Sequence, residues 1–170
     1  MSATAIPAAR GETSPWLKAG AAGFIGGLVF AVWAMIVGIF ASNLWAPPQG
    51  IAQAIGIGNP GHDFQLVPLL LGLMGHMMNS IIIGLIFFAI VAALKLRGGI
   101  LVIAGMVYGF AVYLVMYFVV LRGLLSGMGA PFLSANPEWS WIVAHLMYGV
   151  VLGALLVYGP LRERSLTQVP

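Results

Sequence analysis

The chain has 170 residues, 61% of them hydrophobic and 6% charged, with a mean hydropathy of +1.04 and a formal net charge of +3. A soluble domain carries about 25% charged residues, so this chain cannot cover itself with polar surface in water and reads as an integral membrane protein. Its 23 glycines suit membrane helices. The lack of cysteine excludes disulfides, thiolate metal sites, iron–sulfur clusters and c-type haem attachment, and the placement of the basic residues along the chain argues against a nucleic-acid partner.

A hydrocarbon core of ~30 Å takes about 20 apolar residues as a helix. Four stretches meet this, at about 17–41, 66–94, 100–121 and 139–158. Breakers separate them: Pro47-Pro48 and Asn59-Pro60-Gly61, then Gly98-Gly99, then Pro131 and Asn136-Pro137, with Pro160 after the last. The first run is longer than the ~7–15 residues of a signal-peptide core and lacks a small-x-small cleavage site, so it is expected to be a retained anchor. The expected fold class is all-α: an integral membrane four-helix bundle over 17–159, with tails at 1–16 and 160–170 and outer loops at 42–65 and 122–138. Within the first loop, "QGIAQAIGIG" suggests a short helix lying on the outer surface.

Arg10, Lys18, Lys95, Arg97, Arg162 and Arg164 flank one side of the spans, whereas the outer loops contain only Arg122. The positive-inside rule therefore predicts an N-in/C-in protein with both tails cytoplasmic, in a bacterial inner membrane. Trp45, Trp139 and Trp141 are expected to mark the outer interface and Trp16 the inner one.

The second and fourth spans align at an offset of 69. Pro68 then falls on Pro137, His76 on His145, Met78 on Met147 and Gly84 on Gly153. The first and third align at 80, where Phe30-Ala31-Val32 meets Phe110-Ala111-Val112. This pattern predicts two repeated helical hairpins related by an axis along the membrane normal. Each histidine follows its proline by 8 residues, which puts both ~12 Å into their helices at about 1.5 Å per residue.

Residues four apart share a helical face. His76 shares one with Gly72, Ser80 and Gly84; His145 shares one with Trp141, Gly149 and Gly153. Small residues four apart also occur in the first span (Gly23, Gly27) and the third (Gly105, Gly109). Such pairs mark helix–helix contact in lipid, so both histidines are expected to point into the bundle, where an ionisable group is a functional suspect.

Two inward imidazoles on facing helices suggest haem b with His76 and His145 as axial iron ligands. Gly72, Gly75 and Gly149 would leave bare helix beside the ring, and Arg122 would pair with a propionate. Such a protein is expected to be a small electron-transfer subunit of an energy-transducing complex, with quinone and membrane-subunit partners or a second copy of itself. Three alternatives stand beside it. One is a cofactor-free accessory subunit whose histidines only hydrogen-bond their neighbours. Another is a (bacterio)chlorophyll site, favoured by Gly72 four residues before His76. The last is copper, with Met77, Met78 and Met147 as soft ligands. The spans contain no Asp or Glu except Glu138 at a mouth, which weighs against a proton-coupled transporter. No phosphate loop, nucleophile constellation or metallohydrolase motif occurs, so autonomous catalysis is not expected. His62-Asp63 with Glu138 reads as solvated loop chemistry, with a surface metal as the lesser reading.

Overall fold

The computed structural model describes residues 13–159, 161 and 162. Arg10 and Arg164 lie outside them, as does Pro160. Among the described residues there are helices and no strands. In chain order they are α1 (Pro15–Ala41), α2 (Ala46–Gln53), α3 (Leu66–Ala93), α4 (Ile100–Leu114), a π-helical segment (Val115–Leu124), α5 (Ala130–Ala135) and α6 (Glu138–Val157). α4 and the π segment form one continuous rod, so four helices are long and apolar enough to cross a membrane. Proline opens α1, α2 and α5, where its missing N–H costs nothing.

In lipid no hydrophobic force pulls helices together, so close packing must do it. Two seams carry that packing. In the first, a Cβ on Gly23 would stand 2.5 Å from the Ser80 carbonyl, and one on Gly84 would stand 2.7 Å from the Gly23 Cα. In the second, a Cβ on Gly105 would strike the Gly149 carbonyl and one on Gly149 the Gly105 carbonyl, while Gly109 lies against the His145 carbonyl. α1 thus seals against α3, and α4 against α6. α6 then joins the two pairs: Trp33 Nε1 donates to the Ser140 carbonyl at 3.1 Å, and the Tyr148 hydroxyl donates to the Ser80 carbonyl at 2.5 Å. Half of α6's apolar window is buried, against 28% for each other long helix, which makes it the central member.

The seams equate Gly23 with Gly105 and Gly27 with Gly109, so they run at an offset of 82 rather than 80. The Phe-Ala-Val match behind the smaller offset joins unlike places: Phe30 is buried and Phe110 faces outward.

α2 does not lie on the surface. It starts earlier than the segment that suggested it and is buried at every residue except Ile51. Its Pro48 carbonyl occupies the space a side chain at Gly72 would fill, and Gly50 lies against the Phe132 backbone of α5. Two glutamines tie the following loop to it. The Gln49 amide donates to the Asp63 carbonyl at 2.8 Å and accepts from the Gln65 N–H at 3.2 Å; the Gln53 amide donates to the Asn59 carbonyl at 2.8 Å. Asn43 further anchors the loop by donating to the His62 carbonyl. Trp141 is another departure from expectation. It is 1% exposed and stacks on Phe132 with centroids 4.5 Å apart, so it belongs to the core and not to an interface belt.

The basic end of the bundle gathers Lys18, Lys95, Arg97 and Arg162, and the Lys18 ammonium reaches the Arg162 carbonyl at 3.5 Å. α3 stops there in a Schellman motif: Leu96 N–H bonds the Val91 carbonyl and Lys95 N–H the Ala92 carbonyl. Lys95 holds the left-handed position at φ 53°, where glycine is the usual occupant. Lys95→Gly is therefore expected to stabilise the protein by about 1 kcal/mol, read as a raised thermal midpoint in detergent; an unchanged or lowered midpoint would contradict this account of the turn.

Candidate functional site

α3 and the π segment diverge. α4, which precedes the π segment, is tied to α3 where the Tyr108 hydroxyl donates to the Ile83 carbonyl at 2.9 Å and the Tyr108 ring meets Phe87 at 5.2 Å. Beyond that clasp a cavity of about 270 Å³ opens between them. One wall is α3, with Gly75, His76, Asn79, Ser80 and Ile83; the facing wall is the third rod, with Val112, Met116, Tyr117, Val120 and Leu121. Phe30 of α1 and Trp141, His145 and Tyr148 of α6 close the back, and Ile51, Ala54, Leu125 and Phe132 close the loop end. The volume lies near the lower limit of small-molecule sites, roughly 300–1,000 Å³.

The π segment shapes the second wall. A π-helix bonds i to i+5, and Leu125 N–H accordingly reaches the Val120 carbonyl at 2.8 Å. The same spacing sets Arg122 over Tyr117, with its guanidinium 4.7 Å from the ring centroid and Nη2 donating to the phenol oxygen at 2.9 Å. Arg122 also pairs with Glu138 at 3.9 Å, and Glu138 accepts from the Tyr113 hydroxyl at 2.9 Å. The ion pair is half-exposed, so it contributes little by itself; its effect is to hold Tyr117 at the mouth of the cavity.

Both histidines reach this cavity, in different ways. His76 Nε2 donates across the seam to the Gly27 carbonyl at 2.9 Å. His145 Nδ1 donates back along its own helix to the Trp141 carbonyl at 2.7 Å. A carbonyl has no proton to give, so each bonded nitrogen carries the hydrogen and the other nitrogen of each ring presents a lone pair. His76 thus exposes Nδ1 and His145 exposes Nε2. Phe30 packs against both rings, with its centroid 5.0 Å from His76 and 4.8 Å from His145.

Of the six residues expected at a cofactor, the structure brings His76, His145 and Gly75 to one cavity and leaves the other three outside it. Gly72 is covered by Pro48, Gly149 is locked into the seam with Gly105, and Arg122 serves Glu138 and Tyr117. A haem held by both imidazoles would have to share their surroundings with Phe30, whose ring centroid lies 5.0 Å from His76 and 4.8 Å from His145. A chlorin beside His76 has lost its resting place at Gly72. For copper, none of Met77, Met78 and Met147 lines the cavity. Among the described residues no three His, Asp or Glu side chains gather closely enough to hold a metal; His62 instead bonds the Ser134 hydroxyl at 3.1 Å.

Sequence reasoning missed Phe30 as a site residue, although it continues the small-residue face of Gly23 and Gly27. Tyr117 and Met116 carried no signal, because their placement depends on the π geometry. Comparison with known proteins adds no relative: no family model, curated protein or solved structure matches the chain.

The two hydrogen bonds differ in what they hold. His76→Leu removes a tie between helices and is expected to cost about 1–3 kcal/mol, whereas His145→Leu removes a bond within one helix and is expected to cost less than about 1 kcal/mol. Thermal midpoints of the two variants in one detergent check the order; equal losses would contradict it.

Proposed function

We propose that this chain is a small integral membrane subunit that binds a lipophilic molecule in the cavity between α3 and the π segment. The observation that carries this reading is the cavity itself: an apolar space at bilayer depth whose wall holds two imidazoles and the Asn79 amide, which has no hydrogen bond among the described residues. Polar groups at that depth are costly unless they meet a partner. An aqueous path would need more of them, so a stored or recognised ligand accounts for the site better than a channel. Of the roles expected from the sequence, the accessory subunit of a larger membrane complex, or of a homo-oligomer, is the one that needs neither a tetrapyrrole nor copper, and it is retained here.

The orientation that goes with this reading is N-in/C-in, with the basic end on the cytoplasmic side of a bacterial inner membrane, supported by the gathering of Lys18, Lys95, Arg97 and Arg162. The likeness of the two glycine seams supports a duplicated hairpin, aligned at offsets of 69 and 82.

Gly75 provides the means of testing the cavity, because a Cβ there meets nothing within 4 Å. Gly75→Phe is expected to fill the space while leaving the bundle folded, as judged by circular dichroism and gel filtration. Organic extraction and mass spectrometry of wild type should recover about one equivalent of a lipophile beyond bulk lipid, and the variant should lose it. Equal recovery from both, or none from wild type, would overturn the reading. The purified protein is also expected to show no reduced-minus-oxidised band in the visible range; a haem band abolished by His145→Leu would restore the electron carrier.

A further inference from the structure

Resting on the cavity reading above, we propose that the ligand carries an aromatic hydroxyl, a phenol or hydroquinone head, and that the site prefers it to the carbonyl-only ring of an oxidised quinone. The argument comes from proton bookkeeping on the two histidines. Gly27 and Trp141 each take the one N–H of a neutral imidazole, at 2.9 Å and 2.7 Å. What remains on these two cavity-lining residues is a lone pair on His76 Nδ1 and another on His145 Nε2. Two acceptors call for a donor. A quinone carbonyl, an ether or an ester offers none, whereas a hydroxyl does.

The neighbouring tyrosines do not fill the need. The Tyr148 hydroxyl donates to the Ser80 carbonyl at 2.5 Å, that of Tyr113 to Glu138 at 2.9 Å and that of Tyr108 to Ile83 at 2.9 Å, while the Tyr117 oxygen accepts from Arg122 and its O–H is directed to the Glu138 carboxylate. Asn79, on the same wall as His76, has N–H groups to offer the hydroxyl oxygen, so the head is met both as donor and as acceptor. The rest of the wall selects a flat ring: Phe30, Phe132, Trp141, Tyr117 and Tyr148 all line it.

The test uses the full chain, delipidated in detergent under argon, titrated with three probes while tryptophan fluorescence is followed. The probes are a decyl-substituted benzohydroquinone, its oxidised quinone and its dimethyl ether. Wild type is expected to bind the hydroquinone about tenfold more tightly than either other probe, the value of one hydrogen bond to an imidazole. His145→Leu should shrink the hydroquinone preference without weakening the ether, and Gly75→Phe should abolish all binding. If wild type binds the three probes equally and Gly75→Phe still blocks them, the hydroxyl preference is wrong and the cavity reading stands. If wild type binds none, the preference is wrong, and the extraction experiment decides the cavity reading separately.

Discussion

The close approach of helix backbones through glycine is the constraint on which this structure depends. Gly105 and Gly149 sit with each carbonyl where the other's side chain would be, and Gly23, Ser80 and Gly84 do the same work between α1 and α3. A membrane protein gains nothing from moving leucine out of water, since lipid is equally apolar. Dense contact over bare backbone must hold the rods instead. Two such seams, joined through α6, use up the close-packing surfaces of the four rods. The remaining pair, α3 and the third rod, is clasped at Tyr108 of α4 and diverges along the π half beyond it. The cavity is a consequence of which pairs were sealed.

The histidines take their different characters from the same arrangement. His76 lies on the α1 seam, close enough for its ring to bond the Gly27 carbonyl, and so it acts partly as a strut. His145 has the Gly109 backbone pressed against its own carbonyl, and its ring bonds back to Trp141. Phe30 packs against both imidazoles, and all three rings line the shared space. The histidines are thus brought to one cavity, each packed against the same phenylalanine.

Much of the architecture was legible along the chain. The four apolar runs set the long helices because length and composition are local properties, and proline and glycine marked where each must stop. The inward face of His76 and His145 was legible from the small residues four positions away. The register between α1 and α4 was not: Phe30-Ala31-Val32 and Phe110-Ala111-Val112 match by letter, yet one phenylalanine is core and the other faces outward. Gly72 likewise reads as bare surface for a cofactor until Pro48 of α2 is seen lying on it.

By itself, the sequence determined an all-helical protein with four helices long and apolar enough to cross a membrane, small-residue faces for their contacts and two ionisable rings turned inward. Those features depend on the hydropathy and spacing of residues within one segment. Only the tertiary structure decided that α2 folds inward, that the third rod loosens into a π-helix at Val115, and that Phe30 packs against both histidines. The reason is physical. Each depends on atoms from segments far apart in the chain competing for the same space, and periodicity along one helix carries no record of that competition.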